Sequence, residues 1–483
     1  MMKRAVIFLF LSLVLLILAL LLFTRKTDEA DNSPQLLSSR NISEIMEIAI
    51  INQYDSYSVY QEGGGFAIAD LPMDYVNAEY LLLLLDEASR VEYLEQVFRS
   101  EKPVAESSLA AFGLDQPAGS ALIHFTPGDS LHLLFGGMER VSRGQYFMVK
   151  GDNAVYLMDH SRVVRFLQPL KRFINLEIVP VRSFPSPLST IKYLHLSGRA
   201  FPKPIIISEV RANNEADMRE SLGFGATTHI IKSPHLHKID QKEAMEVFES
   251  LTGLLNIEVL DYNCDDAVLA QYGFDDPLVK AEYIYDKGDG SDPARIVLKA
   301  VLYQGDYILV RDDQRIVHRI EKKAFLVTSY EKLAARWFLA PFITDVRSIE
   351  ISSGGRSYRF ELSGEDNRSL DVTLNGARLD INLFRKFYTL LVSASNDGQL
   401  IHPDLSSKTG AAGQAAMPVL AVSFYYRDPL KEPDSMSFSP GSLRRHYVTV
   451  NGITEFTCLE RYAQVLETAL LAIAKGEDFR TDW

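Results

Sequence analysis

Residues 109–117 read Leu-Ala-Ala-Phe-Gly-Leu-Asp-Gln-Pro, and residues 269–277 read Leu-Ala-Gln-Tyr-Gly-Phe-Asp-Asp-Pro. A second pair of related segments follows at nearly the same separation, Gly-Gln-Tyr-Phe-Met-Val-Lys-Gly-Asp at 144–152 and Gly-Asp-Tyr-Ile-Leu-Val-Arg-Asp-Asp at 305–313. A third copy keeps Tyr-Val-Thr-Val-Asn-Gly at 447–452 but lacks the Gly-Leu-Asp segment. Related segments at equal spacing predict three tandem copies of one structural module.

The Gly-Leu/Phe-Asp-x-Pro segment is interpreted as a structural turn, with a ligand-binding loop as the alternative. Glycine permits positive φ, aspartate favours turns, and proline suits the position that leads into the next strand. The predicted turn residues are Gly113, Asp115 and Pro117 in the first copy, Gly273, Asp275 and Pro277 in the second, and Pro418 in the third.

Each copy opens with a segment that alternates apolar and polar residues, at 45–50, 191–196 and 346–351. This period of two predicts a strand with one buried face. A helical pattern follows in each copy, and an aspartate before it can accept the unpaired amide hydrogens of the first turn. The predicted helix caps are Asp74, Asp240 and Asp380.

These patterns predict an α+β fold in which one N-terminal transmembrane helix precedes three tandem repeats of an antiparallel-sheet-plus-helix module. Apolar joins between the copies indicate modules that pack against their neighbours. The predicted divisions are a membrane anchor at 1–26, a polar stalk at 27–42, modules at 43–186, 187–342 and 343–476, and a polar tail at 477–483.

Residues 5–23 are apolar except for Ser12. As a helix they would span about 28 Å, close to the roughly 30 Å thickness of the hydrocarbon core. A cleaved signal peptide is the alternative, but its apolar stretch is usually shorter and ends in small residues, whereas Thr-Arg-Lys follows here. The segment predicts contact with the membrane through residues 5–23, as an uncleaved signal anchor of a single-pass membrane protein with the bulk of its chain extracytoplasmic.

The chain has 483 residues, of which 47% are hydrophobic and 23% are charged, and its formal net charge is −13 at pH 7. This composition is ordinary for a globular protein. Nucleic-acid binding needs a basic face that displaces counterions, so the acidic chain predicts no nucleic-acid partner. The two cysteines, Cys264 and Cys458, fall at non-equivalent positions of the copies and are interpreted as buried single thiols.

The best metal candidates are His235 and His237, because imidazoles two residues apart on a strand share a face. His229 lies near enough in sequence to complete a zinc site. The other copies have no histidines at clearly matching positions, which favours structural or surface histidines. The loop at 286–292 superficially resembles a calcium loop, but it lacks the alternating acids and the terminal glutamate, and it is interpreted as a hairpin loop.

No Walker loop, nucleophile elbow or His-Glu-x-x-His segment occurs in the sequence. The chain is therefore predicted to have no catalytic residues, no cofactor and no enzymatic activity. An envelope enzyme without a recognisable motif is the alternative, with His235 and His237 as its candidate residues.

The repeated turn, the Gly-x-Tyr strand and the apolar N-terminal segment resemble an uncharacterised bacterial family, a domain of unknown function encoded beside gliding-motility-type ABC transporter genes. The resemblance implies a membrane-anchored, extracytoplasmic accessory or scaffold protein whose partner is an ABC transporter permease or auxiliary subunit. It carries over no catalytic residues, and the third copy departs from its pattern. A module that binds an envelope polysaccharide or peptide, independent of a transporter, is the alternative function.

Overall fold

Antiparallel strand pairing organises the part of the chain that the structure describes. This structure is a computed structural model, and the chain divides in it into two compact units, Met1–Asn175 and Leu176–Trp483. The described residues are 34–69, 71–101, 106–126, 128–141, 144–397 and 417–483.

The first unit holds a two-stranded sheet and an eight-stranded sheet, here called sheet I. Its strands are β1 (Gln35–Ser39), β2 (Ile45–Asn52), β3 (Ser56–Glu62), β4 (Gly65–Ile68), β5 (Arg90–Tyr93), β6 (Glu95–Arg99), β7 (Gly119–Phe125), β8 (Asp129–Met138), β9 (Gln145–Val149) and β10 (Ala154–Met158). Its described helices are α1 (Ala78–Ser89), α2 (Glu106–Leu109) and α3 (His160–Leu167). Strand β1 pairs with β5, and the order in sheet I is β4-β3-β2-β7-β8-β9-β10-β6.

The second unit holds a nine-stranded sheet, sheet II, and an eight-stranded sheet, sheet III. The strands of sheet II are β11 (Ile191–Ser197), β12 (Ile205–Glu209), β13 (His229–Ser233), β14 (His237–Lys238), β15 (Glu258–Asp261), β16 (Val279–Tyr285), β17 (Ala294–Tyr303), β18 (Asp306–Arg311) and β19 (Val317–Ile320). The strands of sheet III are β20 (Val346–Ser353), β21 (Arg356–Ser363), β22 (Asp371–Leu374), β23 (Ala377–Arg378), β24 (Leu420–Tyr426), β25 (Asp434–Pro440), β26 (Arg445–Val450) and β27 (Ile453–Leu459).

The strand order is β14-β13-β12-β11-β16-β17-β18-β19-β15 in sheet II and β23-β22-β21-β20-β24-β25-β26-β27 in sheet III. The described helices of this unit are α4 (Glu215–Ser221), α5 (Gln241–Glu249), α6 (Asp266–Gln271), α7 (Tyr330–Leu333), α8 (Ile381–Leu391) and α9 (Glu460–Ile473).

In each large sheet the opening strand pairs antiparallel with a strand far along the chain: β2 with β7, β11 with β16, and β20 with β24. Every second residue of β7, β16 and β24 is buried, with the same alternation in all three strands. This alternation directs one face of each strand into a hydrophobic core.

One continuous core fills the second unit and includes residues of both sheet II and sheet III. Large aromatic side chains are fully buried there, among them Tyr283, Phe360 and Tyr462. The Tyr283 hydroxyl donates a hydrogen bond of 2.9 Å to the carbonyl oxygen of Leu251, and the Tyr462 hydroxyl donates one of 2.8 Å to Leu391. These bonds satisfy polar atoms that would otherwise be costly to bury.

The membrane part of the predicted architecture is contradicted. Among the described residues, no helix is both long enough and apolar enough to cross a membrane. The longest helix that the structure describes, α9, has 14 residues, which span about 21 Å against a hydrocarbon core of roughly 30 Å. This finding counts against the expected transmembrane helix and single-pass membrane localisation, and the segment on which both rested, residues 5–23, lies outside the described residues.

Three structural observations bear on the predicted divisions of the chain. Part of the expected polar stalk, Gln35–Ser39, is a strand that pairs with β5. The expected polar tail is docked, because Phe479 is buried and the Trp483 indole donates a hydrogen bond of 2.9 Å to the Ser393 hydroxyl. The chain divides into compact units after Asn175, so the predicted boundary at 342–343 lies within the second unit.

Two of the three predicted helix caps lie where the sequence placed them. The Asp240 carboxylate accepts hydrogen bonds from the amides of Lys242 and Glu243 at the start of α5, and Asp380 caps α8 in the same way. The prediction for Asp74 is wrong, because this residue lies in a short 3-10 helix, Met73–Tyr75. The cap of α1 is Asn77, whose side-chain oxygen accepts from the amides of Glu79 and Tyr80.

The repeated glycines end short helical segments. Gly113 and Gly273 have positive φ, and their amides bond back to Ala110 and Ala270. The next residue in each copy, Leu114 or Phe274, donates its amide to the carbonyl five residues earlier, that of Leu109 or Leu269. This pattern is the Schellman motif, which satisfies the last carbonyls of a helix.

The Schellman motif places one apolar side chain of each copy in a small satellite core. Leu114 packs with Met148 and Val155 in the first unit, and Phe274 packs with Leu269 and Val310 in the second. Asp115 and Asp275 follow as exposed residues. Pro117, Pro277 and Pro418 each lie two residues before a strand, namely β7, β16 and β24.

We expect Gly113→Ala to destabilise the protein more than Gly273→Ala. Left-handed backbone costs a residue with a Cβ about 1–2 kcal/mol, which applies to both. An added Cβ at Gly113 would also lie 2.9 Å from the Gly137 backbone nitrogen, whereas at Gly273 it would meet no atom within 4 Å. Urea unfolding followed by circular dichroism measures both costs, and equal costs would contradict the proposed role of the Gly137 contact.

Buried histidines make the second unit sensitive to acid. His318, on β19, is 1% exposed and its Nδ1 lies 2.9 Å from the side-chain amide nitrogen of Asn256. The nitrogen of a side-chain amide only donates. The Nδ1 atom of His318 therefore accepts, and its Nε2 atom carries the hydrogen in the neutral ring. Burial lowers the pKa of His318 to about 4.

Because the unfolded chain takes up this proton near pH 6.5 and the folded chain only near pH 4, stability is lost as the pH falls through that interval. For this one group the loss is roughly 3 kcal/mol. Both tryptophans, Trp337 and Trp483, lie in the second unit, so tryptophan fluorescence during urea unfolding follows it. His318→Gln should flatten the fall between pH 6.5 and 4, and parallel curves for the two proteins would refute the assignment.

Candidate functional site

The two predicted metal candidates have different surroundings. His237 lies on β14, an edge strand of sheet II, and is 6% exposed. Its Nδ1 lies 2.9 Å from the carbonyl oxygen of Lys238. A carbonyl only accepts, so Nδ1 carries the hydrogen and Nε2 presents a lone pair. This Nε2 is buried and has no hydrogen-bond partner among the described residues.

His235 lies before β14, and its Nε2 is 3.1 Å from Oε1 of Glu455. The third histidine, His229, is directed to the protein interior, with Nε2 2.8 Å from the carbonyl oxygen of Ile191. Within the described ranges, no group of three or more histidine, cysteine, aspartate or glutamate side chains is arranged to hold a metal ion. The structure therefore brings His235 to a carboxylate and leaves His229 on other partners.

A β-bulge positions Glu455. Strands β26 and β27 pair Val448 with Phe456 and Thr449 with Thr454, so Glu455 is an extra residue between two pairs. Bulges redirect side chains and are common beside functional sites. The Glu455 side chain is 18% exposed, and its Oε2 accepts a hydrogen bond of 2.7 Å from the hydroxyl of Tyr330 on α7.

Opposing effects act on the pKa of this carboxylate, and the net result is a raised pKa. Burial raises the pKa of Glu455, against the lowering effects of the Tyr330 hydrogen bond and of the charges on His235 and Lys203. Burial and the adjacent Glu455 also raise the pKa of the Tyr330 hydroxyl well above its ordinary value. Tyr330 therefore keeps its proton and serves as the donor to Glu455.

A cavity of about 240 Å³ lies between β14 of sheet II and the β26–β27 hairpin of sheet III. Rings and aliphatic side chains form most of its wall, and His235, His237 and Glu455 supply its titratable groups. The centroids of His237 and Tyr330 lie 5.6 Å and 6.1 Å from that of Phe456. We call this space the Glu455 cavity. Its chemistry suits binding of a small group with hydrogen-bond donors.

Sequence reasoning found the histidines of this cavity but missed Glu455 and Tyr330. Glu455 lies in a strand hairpin and Tyr330 lies 125 residues earlier, so no local spacing connects them. The one local signal of the bulge is Ile-Thr-Glu-Phe at 453–456, where two successive polar residues interrupt the alternation of a regular strand. Only the strand register shows that Glu455 is an additional residue.

A second concave surface, here called the tyrosine groove, has a volume of about 460 Å³ and lies in sheet II. Tyr272 and Tyr303 meet edge to face there, with centroids 5.2 Å apart. An Arg319–Glu258 ion pair of 3.0 Å lies in the same groove. Aromatic faces beside planar polar side chains can hold a ligand that is part apolar and part hydroxylated.

The loop at 286–292 and the two cysteines lie in surroundings that explain them without a ligand. The predicted calcium-like loop at 286–292 connects the paired strands β16 and β17, and the Asp289 carboxylate accepts from the Ser291 amide at 3.0 Å. Cys264 and Cys458 are buried and free. Burial raises the pKa of the Cys264 thiol to about 11 and that of Cys458 to about 12, so both stay protonated and poorly nucleophilic at neutral pH.

We expect Tyr330→Phe to destabilise the second unit by about 1–3 kcal/mol, because it leaves a buried carboxylate oxygen without its donor. Tyr425→Phe is the matched control, since it removes a hydroxyl bonded at 3.1 Å to Glu350, a carboxylate whose side chain is 45% exposed. Water can replace that bond, so the control should cost less. Tryptophan-monitored urea unfolding compares the two, and a larger cost for the control would disprove the structural importance of the Tyr330 bond.

Comparison with known proteins identified no relative of this chain. The chain matches no protein-family model, no curated protein and no solved structure.

Proposed function

We propose that the chain is a non-enzymatic accessory or scaffold protein of an ABC-type transport complex. The resemblance of its repeated segments to the family encoded beside such transporter genes supports the choice of partner. The use of the repeated residues supports a scaffold role, because Gly113 and Gly273 end helices and Leu114 and Phe274 fill satellite cores. The residues that the copies share serve packing and chain reversal. We therefore place partner binding on exposed side chains.

The observation that carries this proposal is the segment at 337–343, which connects sheet II to sheet III. Phe338 and Leu339 are buried in the common core, at 2% and 0% exposure, whereas Trp337 and Phe342 are 54% and 53% exposed. Tryptophan is among the residues most enriched in the energetic centres of protein interfaces. The segment thus joins two sheets and also offers two aromatic side chains to a partner.

A second candidate function is binding of an envelope polysaccharide or peptide without a transporter. The tyrosine groove favours it, because Tyr272 and Tyr303 supply ring faces while Asp306, Arg319 and Glu258 supply hydrogen-bonding groups. Sugars carry both apolar C–H faces and hydroxyls, which match these two kinds of side chain.

A cross-linking pull-down with the tagged full-length chain in its own cells tests both candidates. We expect an ABC permease or auxiliary subunit to be enriched with the wild-type chain. The double variant Trp337→Ala/Phe342→Ala should recover about tenfold less of it, since losing an interface centre costs at least 1.4 kcal/mol.

The control is Met218→Ala/Met245→Ala, which trims two other apolar side chains that are 42% and 43% exposed. Its recovery should equal that of the wild-type chain. Recovery of a glycan without any transporter subunit would replace the proposed function by the second candidate, and recovery of neither would refute both.

A further inference from the structure

The Glu455 carboxylate is a largely buried acid, and its ion-pair partner among the described residues is the His235 ring, at 3.1 Å. Within the described ranges, no lysine or arginine lies within ion-pair distance of it, and its bonds are to the Tyr330 hydroxyl and the His235 ring. Lys203, whose charge also lowers the pKa of Glu455, is an exposed residue. The His235 ring carries a charge only when it is protonated, and a carboxylate that is removed from water without a cation is costly, by several kcal/mol for an isolated ion.

The carboxylate that Glu455 contributes to the cavity is a hydrogen-bond acceptor when it is ionised. The Oε1 atom of Glu455 contacts His235 and its Oε2 atom accepts from Tyr330, and an ionised carboxylate keeps further lone pairs on both oxygens. An ammonium group has three donors and no acceptor. A ligand of this type complements both the charge and the hydrogen-bonding character of the site.

The walls of the cavity match the rest of such a ligand. Phe338 and Phe456 present aromatic rings, and the negative face of an aromatic ring attracts a cation within about 6 Å of its centroid. Val448 and Val450 provide an aliphatic surface against which a short alkyl chain can be removed from water. An anion would instead be repelled by Glu455.

We propose that the Glu455 cavity binds an alkylammonium group, with the ammonium at the carboxylate and the alkyl chain along the valines. The ligand is either a small free amine or the lysine side chain of a protein partner, because the two share this chemistry. The proposal is independent of the transport role, since it rests on the cavity alone.

The first test titrates n-butylammonium chloride into the full-length chain in a calorimeter, with n-butanol as the neutral analogue. We expect saturable binding of the ammonium and none of the alcohol. Glu455→Gln keeps an acceptor for Tyr330 but removes the charge, and it should weaken ammonium binding at least tenfold. Binding of the alcohol with equal affinity, or undiminished ammonium binding by Glu455→Gln, would overturn the proposal.

The matched control is Glu350→Gln, because Glu350 also accepts a tyrosine hydroxyl, that of Tyr425, but is exposed and paired with Arg359. Its ammonium affinity should equal that of the wild-type chain. Circular dichroism establishes that each variant is folded. Should Glu455→Gln not fold, Phe456→Leu decides the question, since loss of the ring should weaken ammonium binding several-fold while an unchanged affinity would count against the site.

Two further ligands distinguish the sources. Nα-acetyl-lysine amide presents the ammonium as a protein would, and its Nε-acetylated form lacks the charge. Tighter binding of the lysine amide than of n-butylammonium assigns the site to a partner side chain, and the reverse assigns it to a free amine. Equal binding of the acetylated and unacetylated forms would refute recognition of an ammonium. The scaffold proposal is unaffected by any of these results, because its test uses Trp337 and Phe342.

Discussion

The pairing of each opening strand with a strand far along the chain is the constraint on which the three large sheets depend. β11 and β16 meet only after the chain has passed through strands β12 to β15, helices α4 to α6 and the Schellman turn at Gly273. The loop-closure entropy of that excursion opposes the pairing. Local features reduce the conformational freedom of that segment, because Asp240 begins helix α5 and Gly273 ends helix α6 before β16.

The edges of sheets II and III supply the polar side chains of the Glu455 cavity. Sheet II ends on one side at β14 and sheet III ends at β27, and edges of sheets are where strands are short, bulged or charged. The short β14 carries His237, and the bulge in β27 carries Glu455. Tyr330 then bonds to the carboxylate from α7. A junction that joins two sheets therefore also holds a buried acid in an aromatic cavity.

Several features could be predicted from the sequence because they are local. Asp240 and Asp380 precede helical patterns, and a carboxylate there bonds to amides two and three residues away. The prediction of Asp74 as a cap was wrong because Asn77, three residues later, is an equally good cap and lies directly before the helix. Gln35–Ser39 was taken for a stalk because its strand character depends on pairing with β5, about fifty residues on.

The sequence alone determined where the chain turns and which faces of its strands are apolar, because positive φ at glycine and alternation along a strand are properties of neighbouring residues. It did not determine whether the chain spans a membrane. The apolar stretch at 5–23 predicted a spanning helix, and none of the described helices is long and apolar enough to be one. The tertiary structure alone decided that His235 meets Glu455 and that His229 bonds elsewhere. Those distances depend on strand register and on how two sheets meet, and neither is encoded in the spacing of histidines.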